Sequence, residues 1–350
     1  MSDNFRVGVS RDFHKPDGAL GFDDLGLRKL EEVTGVEWDF LHHDPPTLNP
    51  QQIEGCDALI ILGGTLVTSD LVKGAEHLAI VARFGVGHDN VDVEACTSHG
   101  VLVTITPDGV RRPVASSFMA FMLALSHNLV KKDRITRSGH WEQRLDDIGI
   151  GMTGRVLGLI GFGNIGRDLV RLTEPFAMRR LAFDPFVSAD QMTECGVEPA
   201  DLDTLLRTAD FVCLCCKLTE QTRHLIDRAR LSLMKNTAYL INLARGPVVD
   251  QQALTAALNN GSIGGAAIDV YDPEPVARDD DLLALDNVIV TPHSVCMTDE
   301  CFRGNGESAS ESILEVAAGR IPRHTVNTRV TESTRLREKL RQYEMRRPSE

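Results

Sequence analysis

Three short stretches carry side chains suited to a single chemistry. Asn242-Leu-Ala-Arg245-Gly-Pro-Val-Val-Asp250, Ile268-Asp269-Val-Tyr-Asp-Pro-Glu274-Pro and Thr291-Pro-His293 set an arginine, a carboxylate and a histidine beside turn-forming residues. Reversible oxidation of a 2-hydroxy acid needs a fixed cation for the carboxylate, a proton acceptor for the hydroxyl, and a hydride acceptor beside the carbon. Arg245 suits the first task, because its planar guanidinium grips a carboxylate through two hydrogen bonds and stays charged at any working pH. His293 suits the second, since an imidazole cycles between acid and base near neutrality. A carboxylate within hydrogen-bond reach would orient that imidazole and fix its tautomer, and Glu274 is the candidate.

The hydride acceptor is signalled upstream. An apolar run, Val156-Leu-Gly-Leu-Ile, enters Gly161-Phe-Gly163-Asn164-Ile165-Gly166, and a helical pattern leaves it, the context of a dinucleotide fingerprint. Gly161 permits the tight turn, Gly163 lets the backbone approach a pyrophosphate, and Gly166 lets helix and strand pack closely. A second apolar segment, Arg180-Leu-Ala-Phe-Asp184, ends in an acid about 20 residues on, where the ribose diol of NAD is read.

Together these motifs resemble the D-isomer-specific 2-hydroxyacid dehydrogenase family, over nearly the whole chain. The resemblance implies an NAD-dependent enzyme acting on a small 2-oxo or 2-hydroxy acid, with Arg245, Glu274 and His293 as its catalytic triad. It extends to Ala82-Arg-Phe-Gly85-Val86-Gly87-His-Asp-Asn90, a substrate loop in which the N–H groups of Val86 and Gly87 would help Arg245 hold the carboxylate. It also covers Asp210 to Thr222, with Cys216 and Thr222 at the adenosine end of NAD, and Ala244 and Asp269 beside the cofactor, Asp269 on the nicotinamide carboxamide. Lys217 stands where the family usually has proline, and Gly63-Gly64-Thr65 replaces the arginine and serine of phosphoglycerate enzymes. Arg111 and Arg112 are the remaining cations able to meet a distal acid; the simpler expectation for both is a solvated loop. The same resemblance reaches NAD-binding corepressors that keep the triad, and phosphite-type anion oxidation on the same scaffold.

A length of 350 residues, 42% of them apolar, allows two domains with sizeable cores. A formal charge of −13 disfavours nucleic acid as a partner and gives no hint of a membrane surface. With no apolar run near 18 residues and no signal-like start, a soluble cytoplasmic protein is expected. Eight cysteines lack the spacing of a disulfide framework, and Cys213-Leu-Cys215-Cys216 has strand period, so no metal or redox pair is expected.

Strands and helices alternate throughout, which predicts an α/β protein with two Rossmann-like, doubly wound parallel sheets. The substrate domain is expected to be discontinuous and flavodoxin-like, from residues 1–104 and 296–330, around an NAD-binding domain at 105–295. Two chain crossings near 104–107 and 294–298 would form a two-strand hinge, with the ligand cleft between the domains. Helical spacing runs from Phe22 to Glu32, and Val114 to Lys131 predicts one long apolar helix buried between domains or between subunits, the latter giving the expected homodimer. The tail from residue 331 to 350 is highly charged with weak helical spacing, and a solvated end is expected.

Overall fold

The computed structural model describes residues 4–43 and 45–346. They divide into two units, Met1–Val110 with Met297–Glu350, and Arg111–Cys296. Five helices enter the argument: α1 (Pro107–Ser126), α2 (Leu129–Arg137), α3 (Asn164–Thr173), α4 (Asp299–Ala317) and α5 (Thr334–Arg346).

The first unit is built on five parallel strands, β1 (Phe5–Val9), β2 (Val36–Phe40), β3 (Ala58–Ile61), β4 (Ile80–Arg83) and β5 (Leu102–Thr104), in the order β2-β1-β3-β4-β5. Strands β3 and β4 are almost continuously apolar because helices cover both faces, and an apolar cluster fills each side. The second unit has seven parallel strands: β6 (Val156–Ile160), β7 (Arg179–Phe183), β8 (Glu198–Pro199), β9 (Phe211–Leu214), β10 (Tyr239–Asn242), β11 (Gly265–Ile268) and β12 (Val288–Val290). Their order is β12-β11-β10-β9-β6-β7-β8, so the winding reverses between β6 and β9. Open α/β sheets bind ligands beyond the strand C-termini at such a reversal, which here is the Gly161 turn.

Three expectations need correction. The segment from Phe22 to Glu32 holds only one helical turn, Arg28–Glu31. Gly26 interrupts it with φ +69, and a Cβ there would lie 2.2 Å from the Arg303 carbonyl of α4, so close packing against α4 overrides the helical spacing. Val114 to Lys131 is not one helix: α1 ends at Ser126, Asn128 is left-handed, and α2 leaves at 56°. The Ser126 carbonyl is instead taken by the Ile150 N–H at 2.7 Å. The division between the units falls at Val110, inside α1. The first turn of α1 belongs with the first unit because Thr106 donates to Asn305 of α4 at 2.6 Å and Gly109 packs on the same residue.

The third correction concerns the charged tail. Residues Thr334–Arg346 form α5, whose Leu336, Leu340 and Tyr343 are buried in the first unit's core. Their spacing of four and three residues is one narrow helical stripe, and the charges around it hide it in composition.

Candidate active site

The three chemical side chains leave the second unit's sheet from neighbouring strands. Arg245 follows β10, Glu274 follows β11 and His293 follows β12, and β10, β11 and β12 are adjacent. Parallel pairing sends all three loops out at the same end of the sheet.

Glu274 and His293 meet. His293 Nδ1 lies 2.8 Å from Glu274 Oε2, and the other carboxylate oxygen accepts the Tyr271 N–H at 2.9 Å. Burial pushes the Glu274 carboxyl up, but the His293 hydrogen bond and charge, the Tyr271 amide and the Arg245 charge outweigh it, leaving the group below its ordinary value. Glu274 is therefore held as the anion. His293 sits at φ 52, a left-handed conformation that non-glycine residues adopt only when surroundings enforce it. The enforcing group is Asp269, whose Oδ1 takes the Thr291 hydroxyl at 2.6 Å and the Ser294 and Val295 N–H groups at 2.9 and 3.2 Å. Burial raises the Asp269 carboxyl, and these donors only partly offset it.

Arg245 is braced through its backbone. Asn242 donates to the Arg245 carbonyl at 3.0 Å and accepts the Ala244 N–H at 3.0 Å, while Arg245 Nη1 reaches the Ala244 carbonyl at 2.7 Å. Gly246 follows because a Cβ there would lie 1.9 Å from the Tyr271 carbonyl. The Arg245 and Glu274 loops thus touch through bare backbone.

Gly161 has φ +96, and a Cβ would meet the Cys216 nitrogen at 2.7 Å. Gly163 precedes α3 with open space where a Cβ would project, and a Cβ on Gly166 would press on the Gly161 carbonyl at 2.8 Å. Asn164 and Ile165 open α3. The open space at Gly163, beside the free N–H groups of the helix N-terminus, fits a pyrophosphate. Asp184 Oδ2 accepts the Phe162 N–H at 2.8 Å and Oδ1 the Phe186 N–H at 2.9 Å, fixing the carboxylate beside the glycine turn. Cys216 lies across that turn, its thiol pushed up to about 11 by burial, while Thr222 closes its own loop by donating to the Lys217 carbonyl at 2.7 Å. Among the described residues no group of three or more His, Cys, Asp or Glu could hold a metal ion.

Val86 and Gly87 lie after β4 in the first unit, in a loop anchored where Gly85 donates to the Thr106 hydroxyl at 2.7 Å. Arg112 is not a solvated loop residue. It lies in α1 and grips Asp168 of α3 through two contacts of 3.0 and 3.1 Å, with Asp168 only 1% exposed. Asn242, Tyr271 and Thr291, which brace the triad, were not among the expected site residues. Asn242 was the accessible one, because an Asn two residues before a tight turn is a known side-chain-to-backbone lock.

Residues 119–294 match the family model described as D-isomer specific 2-hydroxyacid dehydrogenase, NAD binding domain. The chain belongs to this family. A glyoxylate reductase of Korarchaeum cryptofilum is 37% identical over 87% of this chain and 93% of its own length. A D-3-phosphoglycerate dehydrogenase of Methanocaldococcus jannaschii is 38% identical over 79% of this chain, which spans only 53% of that relative. Among solved structures, the TT0316 protein from Thermus thermophilus superposes with a TM-score of 0.79 at 32% identity, covering 92% of this chain and 100% of that one. Membership makes the protein an NAD-dependent oxidoreductase, and the glycine cradle and Asp184 are the residues that fit NAD.

Proposed function

We propose that the protein interconverts a small 2-oxo acid and the corresponding D-2-hydroxy acid, with Arg245, Glu274 and His293 as its catalytic residues. NAD, when bound, supplies or accepts the hydride. The observation that carries the reading is the 2.8 Å contact of His293 Nδ1 with an ionised Glu274. It commits Nδ1 to the carboxylate and leaves Nε2 as the atom that gives a proton to the carbonyl oxygen in reduction and takes it back in oxidation. The negative charge stabilises the protonated imidazole needed for reduction. Arg245 holds the substrate carboxylate, and the Val86 and Gly87 amides keep the same assignment on the resemblance of their loop.

For the cofactor we propose Gly161, Gly163, Asn164, Ile165 and Gly166 at the pyrophosphate, Asp184 at the ribose, and Cys216 and Thr222 at the adenosine end. Ala244 and Asp269 are assigned to the nicotinamide side, Asp269 through its oxygen not engaged with Thr291. An NAD-binding corepressor of the same fold would need no turnover, whereas a histidine braced in a left-handed turn beside an ionised glutamate favours an enzyme.

Two further assignments are proposed. Leu129, Trp141, Leu145 and Ile148 are large apolar side chains on the surface of the second unit, Trp141 65% and Ile148 80% exposed, and this supports a homodimer. Cys56, Cys96 and Cys213 are spent as core packing, which supports a reducing, cytoplasmic compartment.

His293→Ala tests the chemical reading. Turnover with NADH is expected to fall by roughly two to four orders of magnitude while NADH binding stays within a factor of a few. Near-normal turnover in the variant would remove His293 from the reaction.

A further inference from the structure

A pocket of about 290 Å³ lies in the first unit, where α5 packs against the loops that enter β3 and β4. Because those loops precede their strands, this is the end of the sheet away from the Val86–Gly87 loop, which follows β4. The dehydrogenase chemistry makes no use of it.

Two cations one helical turn apart, Arg335 and Lys339, line the pocket from α5. Lys339 is only 8% exposed and donates to the Leu78 carbonyl. Arg335 reaches the Glu76 carbonyl at 3.4 Å. Among the described residues no carboxylate forms an ion pair with either. Asp57 is the nearby buried acid, but its oxygens already accept the Tyr343 hydroxyl and the Arg6 N–H, each at 2.9 Å. Glu76, His77 and Glu338, the other titratable groups in the lining, are exposed at the rim. Burial, and then the charge of Arg335, lower the Lys339 amine from its ordinary value to about 8, the charge of Asp57 offsetting them only in part. A desolvated ammonium facing a second cation costs stability unless an anion is shared between them.

We propose that this pocket binds a small oxyanion, held between the Lys339 ammonium and the Arg335 guanidinium, which fastens α5 to the first unit. Its volume suits an ion of the size of sulfate, phosphate or a short carboxylate. Both donors sit on α5, while the acceptor of Lys339 and the hydrogen-bond partners of Tyr343, Asp57 and the His77 carbonyl, belong to the strand-entry loops. The anion therefore bridges the helix to the sheet.

The test is calorimetric titration of the full chain with sulfate, whose charge does not change between pH 7 and 9.5, at constant ionic strength. An Arg245→Ala background removes the carboxylate site of the proposed active centre. Saturable one-to-one binding is expected at pH 7, weakened about tenfold or more by Lys339→Met, by Arg335→Gln and by raising the pH to 9.5. Parallel titrations with phosphate and acetate tell a tetrahedral from a planar oxyanion. Without anion, Lys339→Met should be at least as heat-stable as the parent, because it removes a desolvated charge. Absence of saturable binding for all three anions, or binding untouched by both substitutions, overturns the proposal. So does a Lys339→Met variant destabilised equally with and without sulfate, since the amine would then be a structural donor to Leu78.

Discussion

At the scale of single residues, the site turns on a carboxylate kept ionised although it is half-buried. Burial alone would raise Glu274, and the His293, Tyr271 and Arg245 contacts reverse that. Glu274→Gln keeps the shape and removes the charge, so the protonated imidazole becomes harder to hold. The alkaline limb of the pH profile for reduction should move to lower pH, with turnover falling less than in His293→Ala. An unmoved limb would separate Glu274 from the proton path. Asp184 makes a second prediction. Its carboxylate is locked by two backbone amides and cannot swing away from a 2'-phosphate, so NADH should exceed NADPH in kcat/KM by about tenfold or more. Lys217, at the proposed adenosine end, is a cation that would reduce that ratio, and a preference for NADPH would remove Asp184 from ribose recognition. Arg245, Glu274, His293 and the glycine turn stand out in sequence because each sits in a motif with chemical meaning, and the structure brings Glu274 and His293 within hydrogen-bond distance. Tyr271 and Thr291 were not, since their work is done by a backbone N–H and by a hydroxyl 22 residues from its acceptor.

At the scale of elements, close backbone approach decides where the loops can lie. Gly246 lets the Arg245 loop rest on the Tyr271 carbonyl, and Gly246→Ala should cost about 1–3 kcal/mol and displace Arg245 and Glu274 together. Chemical denaturation and kcat/KM should both report it, and a variant with parental values in each would mean the two loops are not coupled. For α5 the pH dependence has a definite sign. The Lys339 amine titrates near 8 in the folded chain and near 10.5 when unfolded, so between these values the unfolded state binds more protons. The burden on stability is complete below about pH 8 and fades as pH rises toward 10.5. The melting temperature of the parent relative to Lys339→Met, both free of anion, should therefore rise from pH 7.5 to 9.5; a constant difference would contradict the shift. The strands were evident from continuous apolar runs, which burial on both faces of a parallel sheet requires. The break at Asn128 and the single turn at Arg28–Glu31 were not, because a carbonyl captured by Ile150 and a glycine pressed on Arg303 are tertiary events that leave apolar spacing unchanged.

At the scale of the whole molecule, the chain combines a five-stranded parallel unit with a seven-stranded dinucleotide-binding unit that carries Arg245, Glu274 and His293. Composition and strand alternation made both sheets readable from sequence. The exact division was less so, because the first turn of α1 is claimed by Asn305, nearly two hundred residues away. If the exposed Trp141 and Ile148 surface pairs two copies, light scattering should give twice the 38.4 kDa chain mass, and Trp141→Glu should halve it. A parent that stays at 38.4 kDa at all concentrations would contradict the dimer. The central claim, an NAD-dependent reductase of small unphosphorylated 2-oxo acids, is tested most directly by initial rates of NADH oxidation with glyoxylate, hydroxypyruvate and 3-phosphohydroxypyruvate. Glyoxylate or hydroxypyruvate should be reduced with the higher kcat/KM, since Gly63 and Gly64 offer no side chain to a distal phosphate and Arg112 is bound to Asp168. Preference for the phosphorylated acid, or no turnover with any of the three, would contradict the account.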